Sequence, residues 1–414
     1  MIFFTKLKKI LDKSFLKELS WYTIGQTTVQ IFFALGVIIT SRYLGPDNLG
    51  LYSFVQNYLS VFMLVAVGMD FYFTWRIAKS EDKIKDLKEY FGHKIYITSS
   101  FSILGIILAW SILPSDVALM STILCAPLFL SSFTAFFQYA IVINKARIIA
   151  LTQILSSLTL FLMKVFLVNF HAPLLAFVAV SAGDTFFMVT LLALFFLSNP
   201  EIRKPFFYAS FPSIFSTIKF LYAIRFMVIS LALWQLLLRV DQLVLATFSN
   251  AYTLGIYSAA VKITEVPNFF AGGIYASLVA HIASTALRKD DHSKNSIRKV
   301  MLLYFSSGTV ISILTIITAP FIVSLLYGPK FIEVTPILRV YALSIPGMFL
   351  VYHYLAIYAV QGKHLQQAFI FSLGIIINIV LIYILTPIFG ITGTAFATVI
   401  SYTFMSGVFY LHMR

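Results

Sequence analysis

From Trp21 onward the chain is a series of apolar runs of about 20 residues, divided by short polar breaks. Six runs lie near 21–44, 50–77, 95–113, 119–143, 148–169 and 173–197. Six more lie near 225–248, 254–285, 300–326, 335–360, 366–386 and 391–411. Backbone polar groups in hydrocarbon must bond to one another, so open runs of this length are read as helices. The expectation is an all-α integral membrane protein of about twelve transmembrane helices. Of the 414 residues, 60% are hydrophobic and 11% charged, against roughly 25% charged in a soluble domain. The net charge of +14 would suit nucleic acid only if it formed one soluble face. The basic residues fall in the polar breaks instead, so no nucleic-acid partner is expected.

Those breaks also orient the chain. Lys79, Lys83, Lys85, Lys88 and Lys94 follow the second run, and Arg288, Lys289, Lys294, Arg298 and Lys299 follow the eighth. The opposite breaks hold Arg42, Lys330 and Arg339. Positive charge stays on the cytoplasmic side, which places both termini in the cytoplasm. Residues 1–20 mix lysines with Phe3, Phe4, Leu7, Leu11 and Phe15, an amphipathic cytoplasmic segment suited to membrane lipids. The run at 21–44 is too long for the apolar core of a cleavable signal and is read as a retained span.

A motif recurs within this pattern. Leu49-Gly50-Leu51-Tyr52-Ser53 and Leu254-Gly255-Ile256-Tyr257-Ser258 stand 205 positions apart, each after one span and before the next. With both copies starting from the cytoplasm, this implies two six-helix bundles related by a parallel pseudo-two-fold repeat. The expected lobes are 21–197 and 225–414, joined by a cytoplasmic linker at 198–224. Gly45, Gly50 and Gly255 read as tight-turn and close-approach positions, in turns expected to face each other across a cavity mouth.

Charges inside the spans cost roughly 2.5–3.5 kcal/mol each and usually face water or one another. They are Asp70, Arg76, Lys164, Asp184, Arg239, Asp241, Lys262 and Glu265. Arg76, at a cytoplasmic end, reads as snorkelling. Gln235, Arg239 and Gln242 fall on one helix face, whereas Asp241 points elsewhere and needs a partner from another helix or water. Lys262 and Glu265 are spaced to pair at i, i+3. Pro267 removes a helical hydrogen bond, and with Gly272 and Gly273 it reads as a hinge. Arg42, Lys164, Arg239 and Lys262 would line a central chamber attracting an anionic headgroup, arginine suiting phosphate through its bidentate fork. Asp184, Asp241 and Glu265 are the candidates for a coupling ion, H+ or Na+, with Asp70 deeper.

Enzyme chemistry is not expected. The sequence has no phosphate-cradling G-x-x-x-x-G-K-[ST] loop and no histidine pair at metal-ligand spacing, and Cys125 is its one cysteine. The outer breaks, such as Leu113-Pro114-Ser115-Asp116, are too bare for a membrane transferase. No cofactor is expected.

Five stretches then bring a family into view. They are Arg42-Tyr43-Leu44-Gly45-Pro46 through Ser53; Arg239-Val240-Asp241-Gln242 with Leu254-Gly255-Ile256-Tyr257-Ser258; Leu326-Tyr327-Gly328-Pro329-Lys330-Phe331; Gly362-Lys363 with Ile377-Asn378; and Gly390-Ile391-Thr392-Gly393-Thr394 through Thr398. In this order they resemble the polysaccharide transporters of the multidrug/oligosaccharidyl-lipid/polysaccharide exporter superfamily, which includes O-antigen and capsule repeat-unit flippases. The resemblance implies a V-shaped two-lobed fold and an undecaprenyl-pyrophosphate-linked oligosaccharide as substrate. It further implies an ion gradient as the driving force, a bacterial inner membrane, and polymerase or chain-length partners. Two alternatives stand beside it: a cation-coupled multidrug exporter of the same superfamily, and a membrane polymerase or transferase of the polysaccharide pathway.

Overall fold

A computed structural model describes residues 13–208, 211–286 and 291–412. Side chains at 13–19, 75, 184–185, 205, 208, 269–270, 273–286 and 291–296 lie outside the described residues. The described chain is helical throughout. Lys13–Ala78 (α1), Lys83–Ile112 (α2) and a broken helix spanning Ser115–Val142 (α3) come first. Ala146–Asn169 (α4), Leu174–Ser198 (α5) and the short Pro200–Tyr208 (α6) follow. Ile214–Leu237 (α7), Val240–Leu245 (α8), Ala251–Ala286 (α9) and Asp291–Leu326 (α10) come next. Val334–Ala342 (α11), Ile345–Gln361 (α12), His364–Phe389 (α13) and Ile391–His412 (α14) complete the chain.

Among the described residues, nine helices are long and apolar enough to cross a membrane, or ten if α11 and α12, bent by 43°, form one span. The stretch Ser20–Ala78 within α1 is 59 residues long and holds two of the expected spans. They divide at Gly45, whose φ of 70° and ψ of 177° break the helix before Pro46 starts it again. Glycine takes that left-handed φ without a Cβ clash, and proline fits a first helical turn because its missing N–H has no partner there. In α3 the residues Ala126–Phe133 tighten into a 3-10 turn with Pro127 near its start. The Ser102 hydroxyl donates to the carbonyls of Cys125 at 2.7 Å and Ala126 at 3.2 Å, next to that proline.

The chain forms two compact units. The first comprises Met1–Tyr43 and Leu59–Arg225, the second Leu44–Tyr58 and Phe226–Arg414. The sequence reading kept all of 21–197 in one lobe, whereas residues 44–58 pack in the second unit. Glycine explains why they can. A Cβ added to Gly50 would fall on the Ala251 carbonyl, and one added to Gly255 on the Pro46 carbonyl. The two copies of the repeated motif cross backbone on backbone, each supplying the glycine that the other needs. They touch directly, closer than turns facing each other across an opening.

Candidate functional site

The expected single face of Gln235, Arg239 and Gln242 does not form. Helix α7 ends at Leu237, and α8 restarts after Arg239, whose φ of −129° is not helical. The break turns these side chains in different directions. Arg239 pairs with the Glu265 carboxylate on α9 through its guanidinium. Among the described residues the ion pair of Glu265 is with Arg239, where the sequence pointed to Lys262. Lys262 instead reaches Gln56 Oε1 at 3.5 Å and lies 5.3 Å from the centre of the Tyr52 ring.

Asp241 is buried and finds the interhelical partners its position demanded. The Tyr257 hydroxyl donates to Oδ2 at 2.7 Å, Tyr341 at 3.1 Å and Thr398 at 3.3 Å, while the Gln242 backbone N–H donates to Oδ1 at 2.8 Å. Helices α9, α11 and α14 thus converge on one carboxylate from α8. Gln242 extends the cluster, its Oε1 accepting from Asn57 at 3.1 Å and Ser258 at 2.9 Å. On the far side Asn378 donates to Thr398 at 3.4 Å, while its own buried Oδ1 has no hydrogen-bond partner among the described residues. Asp241, Gln242, Thr398 and Asn378 are thereby linked in one buried hydrogen-bonded cluster.

The first unit holds a cluster that sequence reasoning missed. Lys94 was counted among the cytoplasmic loop cations, but it lies inside α2 and is fully buried. Its ammonium meets Asp70 Oδ1 at 2.6 Å and also donates to Thr134. The Tyr90 hydroxyl donates to the same carboxylate at 2.9 Å, and Thr134 does so at 2.8 and 3.0 Å. Arg76, expected to snorkel, pairs instead with Asp86 at 3.3 Å and Glu89 at 3.1 Å. No charge-counting rule could link Asp70 to Lys94, because the break between α1 and α2 hides how far α2 reaches. Removing one partner of such a pair leaves a buried charge exposed to apolar surroundings, at a cost of about 3–5 kcal/mol. Lys94→Met is accordingly expected to destabilise detergent-solubilised protein more than the double replacement Asp70→Leu/Lys94→Met. Equal unfolding midpoints for the single and double variants would contradict that coupling.

The remaining sequence candidates lie on α1, α4, α5 and α9. Lys164 is buried on α4, its ammonium 3.7 Å from where a Cβ on Gly36 of α1 would sit. Arg42 is exposed near the end of α1's first arm. Pro267 lies inside α9, and Gly272 lies five residues beyond it. Asp184 and Gly273 are placed on α5 and α9 by their backbone alone, and the Asp184 side chain lies outside the described residues.

A helical membrane fold with buried charge clusters in each of two units defines a class, and comparison with known proteins specifies it. Several solved structures share the fold. The lipid II flippase MurJ, in an inward closed conformation, matches with a TM-score of 0.73 and 15% identity, covering 95% of this chain and 87% of that one. An inward-facing multidrug resistance MATE family transporter matches with a TM-score of 0.73 and 13% identity, over 94% and 97% of the two chains. A MOP superfamily transporter from Pyrococcus furiosus, described by the reverse polarity of its binding pocket, gives 0.69 and 13%, over 97% and 94%. No curated protein sequence matches. The family model described as "Polysaccharide biosynthesis protein" matches residues 15–280, and the chain belongs to that family.

Proposed function

We propose that this protein is a flippase for lipid-linked oligosaccharide. It would carry an undecaprenyl-pyrophosphate-bound repeat unit of O-antigen, capsule or a related polysaccharide across the bacterial cytoplasmic membrane by alternating access, with both termini cytoplasmic. The observation carrying this reading is membership of a polysaccharide biosynthesis family by a chain with a MOP transporter fold. A pathway of that kind needs its lipid-bound intermediate moved between leaflets, and this chain has the fold for transport. The word biosynthesis then names the pathway, with no catalysis by this chain.

Within that reading, Lys262 is the phosphate-facing cation. Lys262 reaches Gln56 and stands over the Tyr52 ring, both of them neutral groups, while the Arg239 charge is paired with Glu265. Asp241 is the coupling-ion ligand, and the unpartnered Asn378 oxygen beside Thr398 supports it. Arg42, Lys164 and Asp184 remain proposed chamber residues, and Pro267, Gly272 and Gly273 a proposed hinge.

Deleting the gene is expected to trap lipid-linked repeat units on the cytoplasmic leaflet and to remove surface polysaccharide. Normal polysaccharide with raised drug sensitivity would instead favour a multidrug exporter. At equal expression, Lys262→Ala is expected to cut export about ten-fold, the loss of one charged contact, with Lys262→Arg retaining most of it. Unchanged export by Lys262→Ala would remove the phosphate role.

A further inference from the structure

The stretch expected as a linker, 198–224, lies wholly within the first unit, which runs on to Arg225. Helix α6 is fixed there on one side. It turns Ile202 and Phe206 inward, and the Phe206 ring meets those of Phe91 and Phe136 at 5.5 and 5.3 Å. Lys88 of α2, itself buried, holds the far end of α6. Its ammonium donates to the Phe207 carbonyl at 3.0 Å and lies 5.0 Å from the centre of the Phe211 ring. A cation at that place answers the spare carbonyls and the negative dipole of a helix C-terminus. Pro212 then packs so closely on Gly92 of α2 that a Cβ there would strike its ring. The opposite side of the stretch is left bare. Arg203 and Lys204 are exposed on α6, and Phe207 beside them is 64% exposed. Phe211, Ile214, Phe215 and Ile218 continue the exposed apolar surface, with Phe215 at 77%. Four cations, Arg203, Lys204, Lys219 and Arg225, occur between Glu201 and Asp241, with no acid among the residues between.

We propose that α6 and the first turn of α7 form a docking element for anionic phospholipid. Phe207, Phe211 and Phe215 enter the boundary between headgroups and acyl chains, while Arg203 and Lys204 meet the lipid phosphates. Contiguous exposed apolar surface of this kind marks an interaction site, and basic residues beside it are the mark of an anionic membrane surface. Arginine suits the phosphate through its planar fork. The level of the element in the bilayer follows from the chain. Helix α7 is long and apolar enough to cross a membrane, and only residues 209–213 separate α6 from it. Fully stretched, that connection reaches about 20 Å, so α6 cannot stand away from the bilayer surface. A soluble acidic protein is therefore the poorer occupant, since the headgroups are already within reach of the same side chains. Lys88 and the Phe206 contacts hold the element in place before any lipid arrives, so docking orders little new structure.

The test uses full-length protein in nanodiscs of mixed phosphatidylglycerol and phosphatidylcholine, with a fluorophore on Phe207→Cys. The native Cys125 is buried, which directs the label to the new site. In one set of discs the phosphatidylglycerol carries brominated acyl chains, and in the other the phosphatidylcholine does, at the same overall ratio. Both lipids are expected to quench the fluorophore. Quenching per lipid should be about five-fold greater for phosphatidylglycerol, the enrichment due to one basic contact. In Arg203→Gln/Lys204→Gln that preference should fall to near one, while quenching by phosphatidylcholine persists. A label on Phe215→Cys gives a second reading if the first position perturbs the fold. Equal quenching by the two lipids in the otherwise native chain overturns the proposal. So does the absence of quenching at both positions, which would mean that another surface covers these rings. Neither reading depends on what the protein carries, so failure here leaves the flippase reading standing.

Discussion

Asp241→Ala is expected to abolish polysaccharide export and to lower the stability of the second unit by about 3–5 kcal/mol. The carboxylate accepts from three hydroxyls and one backbone N–H in a buried place. Alanine would leave the Tyr257 and Tyr341 hydroxyls and the Gln242 N–H without this acceptor, each costing about 1–3 kcal/mol when water cannot reach it, while Thr398 keeps the Thr394 carbonyl at 3.3 Å. Asp241→Asn keeps one acceptor oxygen, so the stability loss should be about 1–2 kcal/mol while export still fails, because the negative charge is gone. The decisive measurement pairs unfolding midpoints of detergent-solubilised protein with surface polysaccharide at matched expression. Wild-type export by Asp241→Asn would reduce this carboxylate to a structural anchor.

The second large effect concerns the crossing of α1's second arm with α9. Gly50→Ala and Gly255→Ala each place a methyl group on a partner carbonyl that is itself part of a helix. Side chains can turn away from such a clash, but helix backbone can only separate as a whole. Each replacement is expected to cost about 1–3 kcal/mol, and the valine variants more. The two sites share one contact, so the double variant should cost less than the sum. Monodisperse recovery after extraction and a thermal-unfolding cycle would show it. Additive losses would mean that the two glycines act independently.

Much of the architecture was legible in the sequence because hydropathy is a local property. A run of 20 apolar residues needs no information about its neighbours to become a helix in a membrane. The glycines were legible as well: at Gly45 the neighbouring proline announced a break, and the recurrence of Gly50 at Gly255 announced a shared geometry. Asp241's need for an interhelical partner followed from helix periodicity alone.

The partners themselves were not legible. Three hydroxyls meet Asp241, from Tyr257, Tyr341 and Thr398, and they are separated by up to 141 positions in the chain. Nothing in the local pattern around Thr398 states that it faces α8. Periodicity points Glu265 to Lys262 because it ranks pairs within one helix and ignores a break in another. Once α8 restarts at Val240, Arg239 is delivered to Glu265. Lys94 shows the same limit, since a lysine counted with a loop became the buried partner of Asp70 when α2 began earlier than its apolar run. The sequence by itself determined that the chain is helical, that it repeats, and where its charges had to be answered. Only the tertiary structure decided which group answers each charge, because that choice depends on how separate helices end, bend and cross.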